Sequence, residues 1–162
     1  MQPNPQRIER PSLRFRMASI EDIPAIVALL ADDIIGAGRE CVADPLPAAY
    51  YEAYRAIEAD PNNELIVAES DRAIVGTVQI TYTPCLSRGG MWRATLEALR
   101  VASSARGSGI GASLVGEVIE RARRRGCGLV QLTTDTRRID ARRFYEGLGF
   151  TDSHVGMKLS LR

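Results

Sequence analysis

The sequence predicts a single mixed α/β domain with the element order βααβββαβαβ(β). Stretches in which apolar residues alternate with polar ones are interspersed with stretches in which apolar residues recur every three or four positions. These two periods are typical of strands and amphipathic helices, and clusters of glycine and proline separate them. The length of 162 residues, with 45% hydrophobic and 25% charged residues, suits one compact domain over residues 13–162.

The first half of the chain predicts an arm, one strand, two helices and a hairpin. Residues 1–12 contain three prolines and no periodicity, which indicates a flexible arm. Asp22 as the N-cap residue of the first helix places Pro24 in the first turn, where it removes no backbone hydrogen bond. The predicted elements are a strand at 13–17, a helix that ends before Gly36, a helix at about 47–59, and hairpin strands at 65–68 and 73–82.

The second half predicts alternating strands and helices. The helix at about 109–125 carries apolar residues at helical spacing, has arginines in its last turn, and is ended by Gly126. The second half begins with a predicted loop at 83–90. The elements that follow it are a strand at 92–101, the helix at about 109–125, a short strand at 129–133, a helix at 139–146 and a strand at 150–159 that closes the sheet.

Charge and composition exclude several classes of protein. A net charge of +1 argues against a generic nucleic-acid binder, and no run approaches the roughly 20 apolar residues of a membrane span. The chain start has no apolar signal segment, so a cytoplasmic location is expected. Three cysteines without a CxxC pair and a single histidine, His154, argue against a disulfide framework, a metal site and a histidine-based triad.

A glycine cluster lies between the predicted strand at 92–101 and the long helix. Glycines allow backbone N–H groups to approach an anion closely, and a helix N-terminus adds a partial positive charge, so a pyrophosphate is the expected ligand. The letters also satisfy the dinucleotide pattern G-x-G-x-x-A, although a Rossmann domain needs further βα units. A tight strand-to-helix turn without a ligand is the remaining alternative. The cluster consists of Arg106, Gly107, Ser108, Gly109, Ile110, Gly111 and Ala112.

Three motifs in order resemble the GNAT superfamily of N-acetyltransferases. The glycine cluster resembles the signature Q/R-x-x-G-x-G/A, residues 96–101 resemble the strand before it, and residues 143–150, RFYEGLGF, resemble the closing motif. The likeness covers about residues 13–160. It implies a GNAT-like fold, acetyl-CoA as co-substrate and no metal.

The resemblance also assigns binding roles to particular residues. The backbone of Leu99 and Val101 would pair with the pantetheine amides as an added strand does, and the amides of residues 106–112 would bind the pyrophosphate. Arg138 stands where similar enzymes often carry an asparagine that contacts coenzyme A, and its guanidinium could reach a phosphate or ribose instead.

Two side chains are the predicted catalytic residues. Glu97 matches the position of a general base in similar enzymes, and alternation predicts that it shares a mostly apolar strand face with Leu99 and Val101. Tyr145 matches the tyrosine that protonates the departing thiolate. The backbone N–H of Leu99 is the predicted donor to the thioester carbonyl.

The acceptor pocket is expected from residues 30–58 and 81–92. Nine acidic residues against two arginines lie between positions 18 and 60, which favours a cationic amine such as a polyamine or a basic peptide. The residues predicted to line the pocket are Asp33, Glu40, Asp44, Tyr82 and Trp92.

The sequence therefore predicts transfer of an acetyl group from acetyl-CoA to a primary amine of a small molecule or peptide, by direct attack in a ternary complex. No nucleic-acid or membrane partner is expected, and a homodimer is common among similar proteins. One alternative is a non-catalytic acyl-CoA-binding sensor. Another is a nucleic-acid binder that uses the arginines of 121–125 and 137–143.

Overall fold

The computed structural model describes residues 13–33 and 37–161, so the predicted arm and the predicted helix end near Gly36 lie outside the described residues. Five strands form one sheet in the order β1-β2-β3-β4-β5. The first four are antiparallel neighbours, and β5 runs parallel to β4. The strands are β1 (Arg14–Met17), β2 (Asn63–Ser70), β3 (Ala73–Pro84), β4 (Trp92–Val101) and β5 (Cys127–Leu132).

Helices cover both faces of this sheet. The fold class predicted from the sequence is confirmed, and the long helix and the last helix agree with prediction to within about two residues. None of the helices in the described ranges is long and apolar enough to cross a membrane. The helices are α1 (Ile23–Ala31), α2 (Ala48–Ala59), a single turn α3 (Ser87–Gly90), α4 (Ile110–Arg124) and α5 (Ile139–Gly147).

Strand alternation divides the core into two layers. In β2, Ile66 and Ala68 pack with buried residues of α4, such as Leu114, on one face. Val67 points to the other face, where it packs with Val27 of α1 and with α2. Successive strand residues point to opposite faces, so a single strand supplies both layers. The two layers therefore place α1 and α4 on opposite faces of the sheet.

The start of α1 follows the sequence prediction. Asp22 is the N-cap residue, and Pro24 lies in the first turn. The carboxylate of Asp22 does not cap α1 itself; it accepts hydrogen bonds from the backbone N–H of Ser19 at 2.7 Å and from Arg16 Nη1 at 2.5 Å. The pair with Arg16 therefore fixes the entry of the chain into the helix.

The strands β4 and β5 separate toward their C-terminal ends. Their pairing ends at Leu96 and Leu132, whereas β4 continues beside β3 to Val101. Ala98 has a φ of 52° at a shift in the β3–β4 register, which marks a bulge. Among residues 13–33 and 37–161, the second half of β4 consequently has no strand neighbour on the side of β5.

The prediction of a closing strand at 150–159 is wrong. Residues 151–161 have no regular secondary structure and are exposed. Apolar side chains alternate through this segment, and Val155, Met157, Leu159 and Leu161 are 87–92% exposed. Alternation predicts the strand, but a strand also needs a neighbour for its backbone hydrogen bonds, and this segment forms no ladder with β5.

Candidate active site

The glycine cluster forms an open turn at the start of α4. Gly107 and Gly109 have φ values of 78° and 88°, in the left-handed region where glycine is favoured. A Cβ atom added at either residue would meet no atom within 4 Å, so backbone conformation rather than packing requires these glycines. The helix N-terminus therefore presents its amides to an open surface. Gly111 differs, because a Cβ there would lie 3.4 Å from the ring of Phe144 on α5.

Arg106 links the last residue of β4 with the residue after α1. Its Nε donates to the carbonyl oxygen of Val101 at 3.2 Å, and its Nη2 donates to the carbonyl oxygen of Asp32. The Asp32 carboxylate accepts the backbone N–H of Ser103 at 2.7 Å, and this bond holds the pKa of Asp32 below its usual value. Asp32, the residue after α1, therefore accepts hydrogen bonds from both ends of the 3-10 turn that precedes the glycine cluster.

The residues present fit coenzyme A at the separation of β4 and β5. The positive-φ glycines and the helix N-terminus suit a pyrophosphate, and the free side of β4 suits an added strand. The backbone of Leu99 and Val101 is predicted to pair with pantetheine, and the carbonyl oxygens of these residues already accept one hydrogen bond each, from Arg100 at 2.8 Å and from Arg106 at 3.2 Å. Each oxygen has a second lone pair that can accept a further hydrogen bond.

A cavity of about 250 Å³ opens where β4 and β5 separate. Tyr145 lines it from α5, packed edge-on against Phe144 and Phe150 with ring centroids 5.1 and 5.7 Å away. Burial raises the pKa of Tyr145, and the positive charges of Arg100 and Arg138 oppose that shift. The other lining residues are Arg39, Leu96, Ala98, Leu99, Arg100, Thr133, Thr134, Asp135, Arg138, Ala141 and Lys158.

Glu97 lies next to this cavity but is not among the residues that line it. The predicted shared face of Glu97 with Leu99 and Val101 is wrong, because the bulge at Ala98 interrupts the alternation of β4. Glu97 is exposed, and its carboxylate lies 3.3 Å from the Thr81 hydroxyl on β3. Its surroundings are polar rather than apolar.

None of the residues predicted to line the acceptor pocket lines the cavity, although Asp33 and Glu40 both act electrostatically on Arg100. Asp33 forms ion pairs with Arg138 and, at 3.7 Å, with Arg100. Glu40 accepts a hydrogen bond from the Tyr50 hydroxyl at 2.9 Å. Asp44 is exposed on the loop before α2.

The two predicted aromatic residues lie near the other end of β4. Tyr82 is 2% exposed in the core, and Trp92 begins β4. The guanidinium of Arg125 lies over both rings, 4.7 and 5.9 Å from their centroids. Neither ring lines the cavity.

Three positively charged residues of the cavity were not singled out by sequence reasoning: Arg39, Arg100 and Lys158. Lys158 is the one lysine among 21 basic residues, and Arg100 interrupts the apolar residues that end β4. Both features are visible in the sequence. Their convergence is not, because the three residues come from a loop, a strand and the C-terminal segment.

A family model described as the acetyltransferase (GNAT) family matches residues 17–150. The chain belongs to the GNAT family. The aminoalkylphosphonate N-acetyltransferase of Salmonella typhimurium is 29% identical over 145 residues, covering 89% of this chain and 88% of that enzyme. The glucosamine 6-phosphate N-acetyltransferase of Trypanosoma brucei brucei is 34% identical over 88 residues, covering 54% of this chain and 58% of that enzyme.

Among solved structures, one from Bacillus halodurans superposes with a TM-score of 0.90 at 51% identity. The match covers 93% of this chain and all of that one, which is described as a transcriptional regulator. The family uses acetyl-CoA, and the chain is an acyltransferase by family membership.

Proposed function

We propose that this GNAT protein transfers an acetyl group from acetyl-CoA to a primary amine of a small molecule, by direct attack in a ternary complex. The observation that carries the proposal is the cavity at the separation of β4 and β5, which is lined by Tyr145. The open glycine turn begins α4, and Gly111 of the same cluster lies against the ring of Phe144, the neighbour of Tyr145 in the chain. The cavity and the turn together have the parts that bind an acyl donor and protonate its leaving group.

Coenzyme A would be held mainly by the chain's backbone. The amides of residues 106–112 would bind the pyrophosphate, as the positive φ values of Gly107 and Gly109 allow. Arg106 would position this turn through Val101 and Asp32 rather than contact the phosphates directly. The backbone of Leu99 and Val101 would pair with the pantetheine arm along the free side of β4.

Acetyl-CoA supplies a thioester, and the protein must supply a neutral amine and a proton. An alkylammonium with a pKa near 10.4 costs about 4.6 kcal/mol to deprotonate at pH 7. Glu97, exposed beside the cavity, would accept that proton through water. The Leu99 N–H would polarise the carbonyl, and the Tyr145 hydroxyl would donate to the sulfur.

The size of the cavity supports a small acceptor. A space of about 250 Å³ fits a short amine better than a folded peptide segment. The two curated relatives are named for small amines, an aminoalkylphosphonate and glucosamine 6-phosphate. Both of these acceptors carry a phosphorus oxyanion beside the amine. A cytoplasmic location and a homodimer stay predictions.

The test is release of free thiol from acetyl-CoA with a panel of small primary amines. We expect at least one amine to release thiol, and we expect Tyr145→Phe and Glu97→Gln to lower kcat by ten-fold or more. Arg143→Gln, on the exposed side of α5, is the matched control. Thermal unfolding of each variant verifies that the fold is kept.

The alternative is a sensor domain that binds acyl-CoA without turnover. It is favoured by one observation, the description of the similar Bacillus halodurans protein as a transcriptional regulator. A sensor would bind acetyl-CoA yet release no thiol with any amine. Any slow background release of thiol would then be the same with Glu97→Gln and Tyr145→Phe as with the unaltered chain.

A further inference from the structure

The cavity that contains Tyr145 collects positive charge from four separate segments. Among the described residues that line it only Asp135 is acidic, and that carboxylate is bound in a bidentate pair by Arg137 at 2.7 and 2.9 Å. Asp33, just outside, is shared between two arginines. The cationic lining residues are Arg39, Arg100, Arg138 and Lys158. The cavity therefore has more cations than acids to neutralise them.

Arg100 shows this imbalance most clearly. Its side chain is 24% exposed, and its Nε is buried with no hydrogen-bond partner among the described residues. The carboxylate of Asp33 is 3.7 Å from Nη2, which is beyond hydrogen-bond distance. Loss of solvent lowers the pKa of Arg100, while the charge of Asp33 opposes this shift and that of Arg138 adds to it. A partly buried cation with an unused donor is stabilised when an anion completes its surroundings.

Arg39 and Lys158 add charge at the rim of the cavity. Both are exposed, and within residues 13–33 and 37–161 neither has an acid at ion-pair distance. They come from the loop after α1 and from the C-terminal segment, so they approach the cavity from two directions. This arrangement suits a small anion that enters between them.

We propose that the acceptor is a small primary amine that carries a phosphate or phosphonate, and that Arg100 and Arg138 bind this oxyanion while Arg39 and Lys158 attract it. The inference rests on the proposed function. Guanidinium groups match the geometry of a phosphorus oxyanion and form strong charge-assisted hydrogen bonds with it. Both arginines line the cavity together with Tyr145, so an oxyanion held by them would lie in the same cavity as the phenol. An amine a few bonds away from that anion is then within reach of the acyl donor.

The same observations argue against the cationic acceptor expected from the acidic residues 18–60. Asp33 is already neutralised by two arginines, and Glu40 is engaged by Tyr50. A polyamine would meet four positive charges at the cavity. We therefore assign specificity to the arginines rather than to the acids.

The experiment compares amines that differ in one group. Phosphoethanolamine and 2-aminoethylphosphonate are tested against ethanolamine, which lacks the phosphorus oxyanion, and against 1,4-diaminobutane, which carries a second cation instead. Hydrogen bonds to a charged group of this kind correspond to about a ten- to hundred-fold difference in kcat/KM. We expect that advantage for one or both phosphorus compounds, and their ratio distinguishes phosphate from phosphonate.

Variants identify the residues responsible. Arg138→Gln and Lys158→Gln should both raise KM for the preferred phosphorus compound, and Lys158→Gln should leave the affinity for acetyl-CoA unchanged. Arg143→Gln, exposed on α5 away from the cavity lining, should change neither constant. Thermal unfolding accompanies each variant. If Arg138→Gln unfolds, Lys158→Gln and Arg39→Gln, which break no ion pair among the described residues, still test the proposal.

The outcomes separate this inference from the proposed function. Equal or better turnover of ethanolamine or diaminobutane would overturn the oxyanion site and leave the acetyltransferase intact. Weaker acetyl-CoA binding in the variants, with acceptor KM unchanged, would assign these cations to coenzyme A and also overturn it. If no amine releases thiol, the proposed function fails, and calorimetry with phosphoethanolamine and 2-aminoethylphosphonate decides the site: heat that disappears in Lys158→Gln supports it, and no heat overturns it.

Discussion

Two arginine-rich regions of the molecule differ in how their charges are neutralised. At the end of α4, Arg121 pairs with Glu64 at 2.8 Å and with Glu117 at 2.7 Å. Arg123 pairs with Glu120, and Arg125 lies over Tyr82. These guanidinium groups are used within the fold, where they also complement the negative end of the helix dipole.

The cavity beside Tyr145 has the opposite character. Arg100 and Arg138 share one carboxylate, that of Asp33, and Arg39 and Lys158 have no acid at ion-pair distance within the described ranges. The number of arginines in a segment therefore does not identify a binding surface. A binding surface is indicated instead by arginines whose charge is incompletely neutralised within the fold. The pairing at α4 also supports the expectation that this basic segment is not a nucleic-acid site.

Tyr145→Phe is expected to have the largest effect on activity, and it tests the cavity, which is the second of the two regions compared. Loss of the hydroxyl should lower kcat by about a hundred-fold, because proton donation to the leaving group is lost while the ring still packs on Phe144 and Phe150. The measurement is steady-state thiol release. Tyr51→Phe on α2 is the matched control, and an equal loss there would show that the effect is not local.

A pair of glycine substitutions tests the start of α4 against its middle. Gly109→Ala places a side chain at a φ of 88°, so the free energy of unfolding should fall by about 1–2 kcal/mol and acetyl-CoA affinity should fall about ten-fold. Gly116→Ala lies within the helix with no atom within 4 Å of the new Cβ, so it should stabilise by about 0.5–1 kcal/mol. Urea denaturation and calorimetry measure both quantities. Equal behaviour of the two variants would contradict the special role of Gly109.

Arg121→Gln tests the paired cluster directly. The change removes two close ion pairs of a side chain that is 20% exposed, so stability should fall by about 1–3 kcal/mol. The KM for the amine acceptor should stay unchanged, since Arg121 is remote from the cavity lining. A raised acceptor KM with an unchanged unfolding midpoint would remove the distinction between the two regions.

The ion pair of Arg16 and Asp22 is an example of a fully neutralised arginine. Breaking it should have a smaller effect on stability, and that effect should depend on pH. The hydrogen bond from Arg16 holds the pKa of Asp22 below its ordinary value. A lowered folded-state pKa stabilises the protein above the unfolded value near 3.9, and that stabilisation is lost as pH falls through the folded value. Asp22→Asn should therefore be less stable by about 1–2 kcal/mol at pH 7, and the difference should shrink below pH 4 in urea titrations. A difference that is independent of pH would contradict the ion-pair explanation.

Local sequence patterns predicted most elements of the fold. The hairpin, α4 and the glycine cluster follow from periodicity and turn residues within a few positions. The closing strand over 150–159 failed because a strand requires a pairing partner that alternation does not reveal. The face of Glu97 failed because the bulge lies at an alanine, Ala98, which carries no glycine-like sequence feature.

The candidate site was predictable only in its local parts. The positions of the glycine cluster and of Tyr145 rest on contiguous motifs, and the structure places them near one end of β4. The role of Asp33 as a shared counter-ion was not predictable, because its partner Arg138 is 105 residues away in the chain. The same long separation hides the convergence of Arg39 and Lys158 on the cavity.

Calorimetric titration of the folded chain with acetyl-CoA tests the central claim most directly, with NAD as the comparison ligand. We expect saturable heat with acetyl-CoA and none with NAD. The open turn at Gly107 and Gly109 would bind the pyrophosphate, and the free side of β4 would bind the pantetheine arm, which NAD lacks. Absence of heat with millimolar acetyl-CoA, or heat with NAD alone, would contradict it.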